Sequence, residues 1–223
     1  MTIVTCAGDE EWDWDSFYEK HPPPRNQVQA GKRMAARIDH FIESRGLTVR
    51  SIADVGCGPA TTIFDLARRM PLCDVFGYDN SRTILRMNRR KAEKRGLRNL
   101  HFGFARLPEV KVPRRFSVVL CIATLHYVNE PGRAIQNLYA LVELGGYLIF
   151  NYPNREQRAA TIREAERDPV VTRRFKQVIE GGNLLSHESI ERALGRRPMS
   201  FWLAVGEQAS RLNPCVVIRR DRV

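Results

Sequence analysis

Ser51-Ile52-Ala53-Asp54-Val55-Gly56-Cys57-Gly58-Pro59-Ala60 is the stretch from which the fold is read. Ile52, Ala53 and Val55 make a short strand with little polar interruption. Gly56 and Gly58 follow, and Ile63, Phe64, Leu66 and Ala67 then repeat at helical spacing. Glycine permits a tight turn and lets a ligand approach backbone that carries no Cβ. The helix that follows offers free N–H groups at its start. A strand, a glycine turn and a helix form the first unit of a nucleotide-type site.

The alternation continues along the chain. Asp74–Asp79 reads as a second strand ending in an acid, and Ser81 caps a helix that stops at Gly96. Leu100–Phe104 and the almost wholly apolar Phe116–Ile122 read as strands three and four. A helix over 132–143 and the Gly145-Gly146 turn lead into a fifth strand, Tyr147–Tyr152. Before the glycine turn, Val28, Met34, Ala35, Ile38, Phe41 and Ile42 mark a helix over 27–44. After Asn154 comes a charged helical stretch to Glu180, split by Pro169, and then a short helix from Ser186. Phe201–Val205 and Pro214–Ile218 read as two closing strands joined at Asn213, antiparallel because no helix separates them. The pattern predicts an α/β, Rossmann-like, doubly wound sheet of seven strands, mostly parallel with an antiparallel edge strand. Residues 1–26 form an N-terminal flap, 27–223 the ligand-binding domain, and 155–195 a helical insertion that serves as a lid.

Composition narrows the class. The chain has 223 residues and a net charge of +11. No run approaches the roughly 20 apolar residues of a membrane span. Cys6, Cys57, Cys73, Cys121 and Cys215 are scattered and odd in number, which argues for a reduced, cytoplasmic compartment. No Cys/His spacing suggests a metal site. Positive charge concentrates in 82–115, from Arg82 to Arg115, and reads either as a solvated face or as a docking face for an anionic partner.

Asp79 lies about 20 residues past the glycines, the separation at which an acid meets ribose hydroxyls in a doubly wound sheet. The turn reads Gly-Cys-Gly-Pro-Ala, so the third glycine of the dinucleotide pattern is missing. Asp54-Val-Gly56-Cys-Gly58-Pro-Ala60, Gly77-Tyr-Asp79-Asn-Ser81, Leu107-Pro108, Phe116 through Val128 and Leu144 through Phe150 together resemble the landmarks of class I S-adenosylmethionine (SAM)-dependent methyltransferases. The likeness spans about residues 50–154. It is nearest to the small-molecule branch that includes the quinone-biosynthesis enzymes.

The resemblance implies the strand order 3-2-1-4-5-7-6, SAM as cofactor and methyl transfer to an O, N or C nucleophile. It implies that Gly56, Cys57 and Gly58 contact the methionine portion and that Asp54 orders that end. Asp79 takes the ribose, Asn80 borders the adenine, Ala105 offers it a backbone N–H, and Cys121 and Ile122 lie against the sulfonium side. Phe104 stands where the family usually has an adenine-reading Asp and is expected in the core. His126, after the fourth strand, is the candidate general base, its alternative being a ring that caps a loop. Trp14, Tyr18 and Tyr152 are candidate lining residues. No Asn/Asp-Pro-Pro-Tyr follows the fourth strand, and Cys121 lacks the preceding proline of a cytosine-C5 nucleophile, which favours a small-molecule acceptor. Two other readings stay open: an RNA or protein methyltransferase docking through 82–115, and a non-catalytic scaffold of the same fold.

Overall fold

The computed structural model describes residues 12–21, 25–195, 200–202 and 215–221. Helices α1 (Trp14–Lys20) and α2 (Arg25–Ser44) precede β1 (Ser51–Val55). Then follow α3 (Thr61–Arg69), β2 (Asp74–Asp79), α4 (Arg82–Lys94), β3 (Leu100–Phe104) and β4 (Phe116–Cys121). After a 3-10 turn at Leu125–Tyr127 come α5 (Pro131–Ala140), β5 (Val142–Asn151), α6 (Arg155–Ala165), α7 (Pro169–Arg174), α8 (Lys176–Glu180) and α9 (His187–Leu194). Strands β6 (Ser200–Trp202) and β7 (Cys215–Arg219) complete the sheet, in the order β3-β2-β1-β4-β5-β7-β6. β1 to β5 pair in parallel, and β7 runs antiparallel to both β5 and β6. The turn expected at Asn213 and the strand residues beyond Trp202 lie outside the described residues.

Side chains along a strand alternate between sheet faces, and here they feed two cores. Ile52, Val75, Val118, Leu120 and Ile149 pack with Met34, Ile38, Ile63 and Leu66 on the α2–α3 side. Ala53, Val55, Val119, Leu148 and Phe150 pack with Ile135, Leu138 and Ile190 on the α5–α9 side. Each large apolar side chain buried this way contributes about 1.5–3 kcal/mol. All five residues of β1 are buried, as a central parallel strand requires.

Two sequence expectations shift. The helix before Gly145-Gly146 ends at Ala140, and β5 already begins at Val142. The glycines sit in a bulge rather than a turn, since pairing with β4 passes from Phe116–Val142 to Val118–Tyr147. Phe104 is 50% exposed instead of buried, with the Arg82 guanidinium 5.0 Å over its ring. It is the last residue of β3, an edge strand of the sheet, and its ring lines a shallow groove with Trp14 and Asp15 of α1.

The basic run is in part structural. Arg89 donates to the Phe102 carbonyl, Lys91 and Arg95 lie over Phe64, and Arg114 lies over Phe76 and Phe116. Cys57, Cys73, Cys121 and Cys215 are buried free thiols, and Cys6 lies outside the described residues. Among the described residues no helix is long and apolar enough to cross a membrane, and no His/Cys/Asp/Glu group could hold a metal.

Candidate functional site

The parallel register brings the carboxyl ends of β1, β2 and β4 to one edge of the sheet. A cleft of about 610 Å³ opens there, within the size range of small-molecule sites. Its floor is the glycine turn. The Gly56 and Cys57 N–H groups both donate to the Tyr78 carbonyl, at 2.7 and 2.9 Å, which ties the turn to the end of β2. Gly56 has φ +79° and Gly58 φ +47°, conformations that a side chain disfavours. Asn88, buried on α4, donates to the Gly58 carbonyl at 2.7 Å and holds the second glycine from behind.

Asp79 lines the cleft beside the turn. Its Oδ2 accepts from the Gly58 N–H at 2.8 Å and its Oδ1 from the Ser81 N–H at 2.9 Å. Burial raises its carboxyl, and the backbone donors of Ser81, Gly58 and Asn80 pull it back. A carboxylate has about four lone-pair sites, so the backbone donors leave acceptor capacity on it for a hydroxyl of a ligand.

Of the residues expected at the site, Gly56, Cys57, Gly58, Asp79, Asn80, Ala105, Ile122, Trp14 and Tyr18 line the cleft. Asp54 and Cys121 lie behind it, 4% and 0% exposed. Asp54 Oδ1 is closed from solvent with no hydrogen-bond partner. Burial, and secondarily the neighbouring Asp79, push its carboxyl up to about 7.

Three expected roles are corrected. The Ala105 N–H already donates to the Asp79 carbonyl at 3.1 Å, continuing the β2–β3 ladder, so it is not offered to a ligand. His126 is 4% exposed and absent from the lining. Three residues complete one 3-10 turn, so neighbours point about 120° apart; here Tyr127 faces the cleft and His126 turns into the protein. Tyr152 is 2% exposed, in the core beneath α9, with its ring 6.4 Å from that of His187.

His126 and Asp54 make opposing contributions to stability. Burial drives the His126 imidazole down to about 4, so it stays neutral in the fold while the unfolded chain takes a proton near 6.5. That contribution is complete above pH 6.5 and is lost as pH falls toward 4, at most about 3 kcal/mol. Asp54 is raised, so its contribution is complete below an unfolded value of about 3.9 and is lost as pH rises through about 7. An Asp54→Asn variant removes the second effect. Its urea midpoint is expected to climb from pH 4 to 6.5 more steeply than that of the parent; parallel curves would contradict this.

Further wall comes from Thr124 and Tyr127, within the Phe116–Val128 landmark but not singled out by it, and from Phe17, His21, Arg33 and Arg174, which no sequence motif marks. Helix α1 lies over the turn, and an ideal Cβ built on Gly58 would stand 2.8 Å from the Tyr18 hydroxyl oxygen. Asp15 anchors α1 by accepting from Ser81 Oγ at 2.6 Å and the Thr83 N–H at 2.8 Å, at the start of α4. Those donors hold its carboxyl below the usual range. The loop after β4 is fixed by Asn151, whose Oδ1 accepts the Ala123 N–H. Asn183 donates to the Leu125 and His126 carbonyls.

A buried acid with an unpartnered oxygen, two cradling glycines and a ribose-competent Asp79 fit a nucleoside ligand with a positively charged tail. Comparison with known proteins agrees. A family model described as "Methyltransferase domain" matches residues 50–193. The chain is 27% identical over 124 residues to the ubiquinone biosynthesis O-methyltransferase of Acinetobacter baumannii (strain AYE), covering 54% of this chain and 52% of that protein. It is 29% identical over 124 residues to that of Coxiella burnetii (strain Dugway 5J108-111), covering 55% and 52%. The chain thus spans about half the length of the curated relatives it matches. In fold it is similar to magnesium protoporphyrin IX methyltransferase from Synechocystis PCC 6803, solved with bound S-adenosylhomocysteine (SAH). The TM-score is 0.65 at 18% identity, over 92% of this chain and 91% of that one.

Proposed function

The chain belongs to the family of methyltransferase domains, and from that premise we propose that it moves a methyl group from SAM to an oxygen, nitrogen or carbon nucleophile of a small molecule. The observation that carries this reading is the pairing of the Gly56–Gly58 turn with Asp79 at the floor of a cleft whose walls are aromatic. In the proposed roles, Asp79 accepts hydrogen bonds from the ribose hydroxyls and Asn80 borders the adenine. Ala105 and Leu107 supply apolar wall. Gly56, Cys57 and Gly58 face the methionine portion, with the Asp54 carboxyl beneath them. Ile122 closes the sulfur side and Cys121 packs behind it.

Bound SAM supplies an electrophilic methyl group on a sulfonium. The protein's own task is alignment and exclusion of water. Trp14, Phe17 and Tyr18 cover the cleft from the N-terminal segment as its flap, and 155–195 contributes Arg174 as its lid. His21 takes the place of His126 as candidate base. It lines the cleft, and its Nδ1 lies 2.9 Å from the Phe17 carbonyl. With Nδ1–H donating there, Nε2 is the nitrogen left to accept a proton.

The test is transfer of label from methyl-labelled SAM to a panel of phenols, amines, total RNA and protein extract. Labelled small-molecule product is expected. Label confined to RNA or protein would overturn the small-molecule reading, and tight SAH binding without any transfer would favour the scaffold.

A further inference from the structure

From the wall of the cleft opposite any motif, and resting on the methyl-transfer reading, we infer that the acceptor is a planar aromatic carboxylate whose anionic group is held by Arg174. Arg174 closes α7 and lines the cleft. Its guanidinium carbon lies 4.7 Å from the Phe175 ring centroid and 5.6 Å from that of Phe17. Arg174 makes no hydrogen bond or ion pair with any described residue, and its Nε is closed from solvent without a partner. Among the described residues Asp79 is the only acid in the lining, and Arg174 does not pair with it. Arg33, on α2, adds a second cation to the same lining and is likewise unpaired among the described residues. The cleft therefore holds two guanidinium groups that no described residue pairs, and the single carboxylate of the cofactor's amino-acid tail can answer only one of them.

The chemistry of the walls selects the anion. Trp14 and Tyr127 meet edge to face at 4.8 Å, and Tyr127 lies 5.1 Å from Phe175. Flat ring walls suit a planar substrate. A guanidinium packed on rings offers its N–H edge as a two-pronged fork, which matches the two oxygens of a carboxylate. The carboxylate occupies Arg174, and the ring carries the nucleophile toward the floor of the cleft.

The test uses protein saturated with SAH and three probe pairs: 4-hydroxybenzoate, caffeate and anthranilate, each against its methyl ester. At least one acid is expected to bind, with its ester about 10-fold weaker or worse. In Arg174→Met, which keeps an apolar stem against Phe17 and Phe175, the acid should fall to the level of its ester. SAH affinity measured on the same samples reports that the variant is folded. Binding by none of the acids, equal binding of acid and ester, or an unchanged preference in Arg174→Met would each overturn the inference. If the parent protein fails to bind SAH, the methyl-transfer reading itself falls. If SAH binds and no acid is preferred, only the carboxylate falls.

Discussion

Replacing Asp79 with alanine is expected to weaken SAH binding on the order of 10²-fold. The proposed contact is two hydrogen bonds from ribose hydroxyls to a largely buried carboxylate, each contributing about 1.5 kcal/mol or more because the acceptor is charged. About 3 kcal/mol corresponds to a loss on the order of 10²-fold. Asparagine should not rescue it. Oδ1 and Oδ2 of Asp79 each receive a backbone N–H, from Ser81 and Gly58. Either orientation of an amide would set its NH₂ against one of those donors. Calorimetric titration of the parent, Asp79→Ala and Asp79→Asn gives the comparison. An affinity within about threefold of the parent for Asp79→Ala would mean that the ribose lies elsewhere.

Gly56→Ala is expected to be the most damaging one-carbon change in the site. Gly56 has φ +79°, where a Cβ costs about 1–2 kcal/mol. The added carbon would stand 2.3 Å from Thr124 Cγ2 and 2.4 Å from its Oγ1. Thr124 cannot swing aside freely, because Oγ1 donates to the Gly56 carbonyl at 3.0 Å and approaches the Ile122 carbonyl at 3.2 Å. Crowding of this kind costs about 1–3 kcal/mol. The total, about 3 kcal/mol, lowers the melting temperature by about 10 °C in a chain of this size. Thermal unfolding with and without SAH measures it, and the added stability from SAH should shrink as well. A double variant with Thr124→Ala should recover part of the crowding and leave the backbone part, since the Cβ of residue 124 itself lies 2.8 Å from the added carbon. A melting temperature unchanged in Gly56→Ala would contradict the close packing of the turn under Thr124.

Both expectations concern residues that the sequence marks openly, and the reason is physical. A strand, a turn and a helix start are local features, and Gly56, Gly58 and Asp79 are set by the chain within a few residues of themselves. Ser81 as the cap of α4 and the alternation of strands with helices are legible for the same reason. Side-chain direction inside an irregular loop is not local in that sense. His126 and Tyr127 are adjacent and chemically plausible alike, and a single 3-10 turn decides that the tyrosine faces the cleft.

The use of the Ala105 N–H is not legible in the sequence, because hydrogen-bond use depends on the neighbouring strand. That N–H is consumed by the Asp79 carbonyl, a pairing visible only once β2 and β3 lie side by side. Phe104 lies outside the core because it ends β3, an edge strand of the sheet. Phe17, Arg33 and Arg174 carry no motif, and they reach one cleft only through the packing of α1, α2 and α7. Unpaired cations lining a cleft are a signal that only the assembled structure can show.

The central claim is that the Gly56–Gly58 turn and Asp79 together bind an adenosyl ligand with an amino-acid tail rather than a dinucleotide. Side-by-side calorimetry of the parent protein with SAH and with NAD tests it most directly. One SAH per chain, with no heat of binding from NAD, is the predicted result; binding of NAD, or no binding of SAH at millimolar concentration, would contradict it.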